Sequence, residues 1–308
     1  MGALFDAAST KFNEAMKRAT TRVLPNDLMV EDIATTMQVS GAATAHAWMK
    51  QLGGMKEWTG SRSIKGLDIG ELVVTNRKFE ETVSIPRTDI EDDQYGVYAD
   101  RFAALGANAQ NLWLELAEQT LVANDNWADA NPFFATGRKL GDATITNVKA
   151  DTPLSRAAVE SAVADMRGWT LDGGKPANVR PRVLVVGPSN EALAKMICEA
   201  ELVSDGSVTV SNVSTARALQ VRVSGALVGD HASEWYVFGE AGGVKGIVVQ
   251  QRKLPVLTRK DSDTDDNVFL EDTFYYGTDA RGEAFKSLPF LIFKGGTTIS
   301  APVWSAAS

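Results

Sequence analysis

The sequence predicts an α+β fold arranged around one very long helix. Three observations carry that expectation. Apolar residues recur at spacings of three and four after residue 89, a polar strand pair with too few apolar side chains for a core of its own stands just before them, and the final third is rich in strand-like runs. A hairpin of that kind needs a surface to lie on, and a neighbouring subunit would supply one. A long spine behind a projecting hairpin suits a flat, elongated building block and suits a compact enzyme poorly.

Leu4, Phe5, Ala8, Phe12, Ala15 and Met16 make one apolar stripe, and Lys11, Lys17, Arg18 and Arg22 outnumber Asp6 and Glu14. This reads as an amphipathic helix docked on protein in preference to DNA or membrane. Residues 25–51 scatter their apolar positions without a sustained period, which reads as an extended arm. A polar Gly/Ser/Lys/Arg-rich segment from Trp58 to Gly66 then leads to a strand pair expected within residues 71–86.

Pro86 stops the strand, and Thr88 with Glu91 three residues on reads as a capping box. Asp89, Glu91, Asp92 and Asp93 crowd the first turn, where the helix dipole favours negative charge. Phe102, Leu105, Ala109, Leu112 and Leu116 form the stripe. Unbroken over residues 89–123 the helix would be roughly 50 Å long at 1.5 Å per residue. Gly96 and Gly106 each cost about 1 kcal/mol relative to alanine, so a break is expected near residues 95–96.

Residues 131–137 read as a loop, and Thr152-Pro153 as the start of a second helix with Val159, Ala162, Val163 and Met166 on one face. Residues 171–176 read as a linker. The run 182–186, the turn at Gly187-Pro188 and a helix from Ser189 make a strand–turn–helix, predicting a small α/β subdomain from about Pro181. Strands are expected at 244–251, 254–259 and 268–276, with an acidic turn at 261–267 and a final segment 284–293.

Composition narrows the function. With 308 residues, 44% hydrophobic and 23% charged, the chain has an ordinary globular make-up and room for one large or two ordinary domains. No apolar run approaches the roughly 18 residues that span a bilayer, and no signal peptide is visible at Met1, so a cytoplasmic setting without membrane is expected. The net charge of −8 argues against avid general nucleic-acid binding. Cys198 is the only cysteine, which excludes intrachain disulfides and reads as a buried inert thiol. His46 and His231 are the only histidines, too few for a His-rich metal site.

Three signals of chemistry are outweighed. Ser189, Asp230 and His231 follow the chain order of an α/β hydrolase, but Glu191 stands where the nucleophile elbow needs glycine, and Ser189 reads better as a helix N-cap. Asp261, Asp263 and Asp265 alternate like the start of a calcium loop, yet Asp266 replaces its glycine and Asp272 its bidentate glutamate, leaving a solvated acidic tip. Residues 242–246 lack the spacing of a dinucleotide-binding loop and precede a strand. No catalytic residue, cofactor or metal is expected.

Trp58-Thr-Gly-Ser-Arg62, then Phe79-Glu-Glu-Thr-Val-Ser-Ile-Pro-Arg-Thr-Asp-Ile-Glu-Asp-Asp93, then Gly96-Val-Tyr98 closely resemble the Mu-type phage major head subunit. The order of elements agrees across nearly the whole chain. The resemblance implies the Hong Kong 97-type capsid fold, with an N-terminal arm at 1–55 and an extended hairpin loop at 56–87. It further implies a peripheral domain at 88–179 and 241–308 and an axial domain at 180–240. The implied function is self-assembly into hexamers and pentamers of an icosahedral shell around double-stranded DNA, in a virion built in the bacterial cytoplasm. A separate scaffold protein, a portal and a decoration protein are the implied partners, with DNA held only by non-specific contact. An encapsulin-like compartment shell is the alternative on the same fold, and a hydrolase using Ser189 a distant third. Inter-subunit contacts are expected at Trp58, Arg62, Lys65, Arg77, Lys78, Phe79, Arg87, Asp261, Asp263 and Asp265. Some relatives crosslink a loop lysine to an asparagine; Lys65 and Asn267 occupy comparable regions without the surrounding acidic pattern.

Overall fold

The computed structural model describes residues 2–21, 24–49, 69–91, 95–140, 143–171, 174–205, 208–211 and 214–297. Helix α1 (Gly2–Ala19) is followed by the short α2 (Val30–Ile33), strand β1 (Ala34–Gln38) and strand β2 (Ala43–Met49). Next come β3 (Ile69–Thr75), β4 (Arg77–Pro86), α3 (Arg87–Glu91) and the long α4 (Tyr95–Val122). The middle of the chain holds β5 (Arg138–Leu140), β6 (Ala143–Ile145), β7 (Val148–Lys149), α5 (Arg156–Gly168), β8 (Thr170–Leu171) and β9 (Lys175–Pro176). Then follow β10 (Arg180–Val186), α6 (Glu191–Cys198), β11 (Leu202–Asp205), β12 (Val208–Ser211), β13 (Gln220–Val223), β14 (Trp235–Ala241) and β15 (Val244–Lys245). The chain closes with β16 (Ile247–Lys260), α7 (Asp266–Glu271), β17 (Thr273–Lys286) and β18 (Ile292–Gly295).

Two sheets organise these elements. One has the order β1-β16-β17-β4, with the long β16–β17 pair at its centre. The other runs β13-β10-β14-β18-β7, with β15 attached to β14. The run Val183–Val186 is continuous because β10 is buried on both faces. Leu184 and Val186 pack towards α5 and α6, while Val183 and Val185 join the core that holds the C-terminal half of α4.

Helix α4 is the spine, about 42 Å long over its 28 residues. It begins at Tyr95, in the region where a break was expected. Its N-terminal half places Phe102, Leu105 and Ala109 against Ala8 and Phe12 of α1 and against Leu257, Phe274 and Tyr276 of the first sheet. Its C-terminal half places Trp113, Leu116 and Leu121 in a core shared with Ile247 and Val249 of that sheet and with Tyr236 and Phe238 of the other. The N-terminal stripe is thus docked on protein, as its amphipathic pattern implied.

Gly106 is there for close approach. A Cβ at that position would lie 2.3 Å from the Phe12 carbonyl oxygen, so the backbone of α1 rests directly on α4. The propensity cost read from the sequence is the condition for that contact.

Several expectations are corrected. Residues 71–86 do not form a hairpin: β3 pairs with β2, from Ala43↔Thr75 to Met49↔Ile69, and β4 pairs with β17. A single residue, Asn76, joins β3 to β4, and strands need at least a two-residue turn to fold back on each other. The helix after Pro86 starts at Arg87, so Thr88 lies within its first turn and is no cap. Helix α5 starts at Arg156 behind the Ser155 cap, whose Oγ accepts the Ala158 N–H at 3.2 Å, and not at Thr152-Pro153. The strands expected at 244–251 and 254–259 are mainly one strand, β16, whose register shifts between Gln251 and Val256 around Pro255. Residues 268–271 are helical, because the Asp265 carbonyl accepts from Val268 and Phe269 and Asp272 adopts φ 48° to reverse the chain into β17. The subdomain expected from Pro181 also recruits α5, β7 and β18, since β14 needs a strand on its free edge.

The core contains charge. Lys286 is buried, its Nζ donates to the Ala123 carbonyl, and the rings of Phe133 and Phe134 lie 5.5 and 5.6 Å away. Burial pushes its ammonium down from 10.5 to about 8, with Asp125 opposing and Lys294 adding to the effect.

Two outcomes follow from this packing. Gly106→Ala should destabilise by about 1–3 kcal/mol despite its better helix propensity, because overpacking outweighs it, and should expose Lys17 and Arg18 to trypsin; thermal melts with limited proteolysis check this. Because the folded Lys286 releases its proton near 8 and the unfolded chain near 10.5, stability should rise with pH across that window by up to roughly 3 kcal/mol. Lys286→Met should lose that rise in parallel melts at pH 7.5 to 10.5.

Candidate assembly interface

Among the described residues, none on the β2–β3 pair belongs to the three apolar cores. Among the described residues it pairs with no further strand, and Val73 on it is exposed. Its root is held by two buried amides. Asn76 donates through Nδ2 to the carbonyls of Gly41 (3.0 Å) and Ala42 (3.3 Å), and Gln250 donates through Nε2 to Asn76 Oδ1 (2.9 Å) and to the Val74 carbonyl (3.2 Å). This clamp lets the chain leave one sheet for another within one residue. The first strand of the hairpin, Ala43–Met49, lies in the stretch whose scattered apolar residues read as an extended arm, so its pairing with β3 is not legible in the sequence. Asn76 and Gln250 were not foreseen either. Their only sequence signal is a polar amide between or within strand-like runs.

The residues singled out from the sequence separate into groups. Trp58, Arg62 and Lys65 lie outside the described residues. Arg77 is engaged within the chain: its Nη2 donates to Glu283 Oε1 at 3.0 Å, its guanidinium sits 5.3 Å from the Phe79 ring, and the Glu283 hydrogen bond raises its pKa. Phe79 is half-buried against the core. Lys78 is exposed. Arg87 Nη1 lies 3.3 Å from Asp263 Oδ1, an exposed pair of small energetic weight.

The three aspartates do not converge. Asp261 is only 5% exposed, accepting from the Tyr276 hydroxyl at 3.2 Å with Arg259 at 3.4 Å. Asp265 accepts the Ser262 N–H at 2.9 Å, and Asp263 faces Arg87. Among the described residues no group of three or more His, Cys, Asp or Glu could hold a metal ion. Asn267 is buried, with Nδ2 donating to the carbonyls of Lys260 (3.1 Å) and Thr273 (2.6 Å), which commits its amide to closing the turn.

Elsewhere the side chains serve structure. Ser189 is exposed inside the 3-10 turn Pro188–Asn190, whose caps are Gly187 and Glu191, so it is not the N-cap expected. Asp230 is exposed, and the carboxylate beside His231 Nδ1, at 3.1 Å, belongs to Glu234. Burial pushes the Glu234 carboxyl up, but hydrogen bonds from Lys294, Tyr236 and His231 outweigh it and hold the pKa low. Cys198 is buried and its thiol is pushed up to about 12, the inert state expected. Gly242 and Gly243 take positive φ in the turn between β14 and β15 and open no helix.

The halves of the molecule are strapped together by residues 24–33. Leu28 N–H donates to the Val223 carbonyl (3.1 Å), Val223 N–H to the Asn26 carbonyl (2.7 Å), and Arg222 Nε lies 3.0 Å from Asp32. Glu118 of α4 accepts the Ser224 hydroxyl at 2.5 Å, and burial raises its pKa.

The family model of the Mu-like prophage major head subunit gpT matches residues 1–152, 145–225 and 211–308. The Mu-like prophage FluMu major head subunit of Haemophilus influenzae is 26% identical over 281 residues, covering 91% of this chain and 67% of that protein. The major capsid protein of Escherichia phage Mu is 35% identical over 77 residues, 25% of each chain. In structure, the procapsid of bacteriophage JBD30 aligns with a TM-score of 0.54 at 21% identity, covering 97% of this chain and 77% of that one, which shows a shared capsid fold. The resemblance carried by residues 58–98 therefore holds over the whole chain, which belongs to the family of Mu-like prophage major head subunits.

Proposed function

We propose that this chain is a phage major capsid subunit whose copies assemble into hexamers and pentamers of an icosahedral shell around double-stranded DNA. The observation that carries it is the family match over the full length, together with a hairpin whose described residues belong to none of the three apolar cores. In this reading the β2–β3 hairpin and the segment between its strands lie over a neighbouring subunit, with Trp58, Arg62 and Lys65 on that segment. The four-stranded sheet with α4 forms the peripheral domain of a Hong Kong 97-type subunit, and the six-stranded sheet the axial domain. The net charge of −8 suits a wall that should not grip its DNA. On this reading a separate scaffold protein and a portal are its further partners, assembly proceeds in the bacterial cytoplasm, and the subunit has no catalytic role.

Expression with the genomic neighbours, followed by electron microscopy and sedimentation velocity, tests this. Closed shells containing nucleic acid are the expected result. Monomer alone under those conditions would count against the reading, and shells filled with protein cargo would favour a compartment. Gln250→Ala should leave the buried Asn76 Oδ1 without its donor, lower stability by about 1–3 kcal/mol and reduce shell yield by loosening the hairpin root. Ser189→Ala should assemble as the parent does.

A further inference from the structure

The face of the first sheet turned away from α4 carries a row of cations beside a shorter row of acids, where Asp279 of β17 stands opposite Glu80 of β4. Register places Lys253 of β16 opposite Arg281 of β17, and Arg281 opposite Lys78 of β4. All three point outward, because the alternating positions Ala280, Gly282 and Ala284 face the core around Trp113. Like charges directly opposite one another destabilise a sheet. Asp279 neutralises Lys253, with Oδ2 2.6 Å from Nζ. Arg281 has a buried Nε without an acceptor, and Lys78 has no ion pair among the described residues. Beside the row Leu254 and Val256 are 46% and 57% exposed.

The complementary surface lies on the same chain. In the turn after β16, Asp263 and Asp266 are exposed, and α7 presents Phe269 at 82% and Leu270 at 75% exposure. Acidic groups beside two apolar side chains thus match cations beside two apolar side chains. The turn cannot reach its own row, since Lys253 and Lys260 are separated along β16 by roughly 23 Å at 3.3 Å per residue. We propose that the turn 261–270 of one copy docks on the Lys253–Arg281–Lys78 row of a second copy. The contact rests on the capsid reading and deepens it. It joins two different patches, so it is head-to-tail and propagates into rings or lattices. The Arg87–Asp263 pair, being exposed, exchanges readily for the contact in trans.

Charge reversal of full-length protein, co-expressed with its genomic neighbours, tests the contact. Lys78→Glu with Arg281→Glu, and separately Asp263→Lys with Asp266→Lys, should each cut shell yield at least tenfold, and the fourfold variant should recover most of it. Lys78→Gln with Arg281→Gln should reduce assembly while leaving the subunit's melting temperature unchanged or higher, since it removes repulsion. A fall in melting temperature would mean the row is structural and overturn the proposal. So would double reversals that assemble normally, or a fourfold variant that stays unassembled while the parent forms shells. A parent that never assembles would instead overturn the capsid reading, and this contact with it.

Discussion

Everything in this subunit depends on burying the apolar stripe of α4. Each large side chain on it contributes about 1.5–3 kcal/mol when fully removed from water. The helix is long enough to enter two cores, one around Phe102 and Leu105 and one around Trp113 and Leu116. It therefore fixes how the two sheets stand to one another. Trp113 illustrates how tight the fit is: a Cβ at Gly282 would lie 2.6 Å from its ring. A side chain there would push the β16–β17 pair off the spine.

Polar groups finish what the stripe begins. Arg138 is completely buried, paired to Asp129, donating to the backbone of Pro132 and Phe133, and lying 5.3 Å from the Trp127 ring. It holds residues 127–138 against the core where no helix or strand could. The strap at residues 24–33 and the Glu118–Ser224 bond tie the second sheet to the spine. Such buried groups are costly when broken, and Arg138 spreads the bonds of its two terminal nitrogens over three acceptors. The result is a single body from which one hairpin departs.

That division explains how the subunit can serve assembly. The Asn76–Gln250 clamp holds the hairpin at its root, and the charges on exposed strands and turns are the groups proposed above to set register between copies. Individually such contacts are weak, which allows errors to dissolve before a shell closes. Of the charges expected to face a neighbour, Asp261 is buried on the Tyr276 hydroxyl, while Arg77 stays largely exposed and pairs with Glu283.

The sequence by itself determined the apolar face of α4, the faces of α1 and α5, the apolar strand 182–186 and, through residues 58–98, the family. Each is a local pattern: a period of three to four, an unbroken apolar run, or a string of particular residues. Only the tertiary structure decided which strand pairs with which. Residues 43–49 join 69–75, residues 148–149 and 292–295 complete the second sheet, and 268–271 turn helical beneath a strand-like sequence. Local periodicity states which side of an element must leave water. It does not name the partner that covers it, and that choice is made by contacts between residues far outside any local window, from Met49 with Ile69 to Ala34 with Ile247.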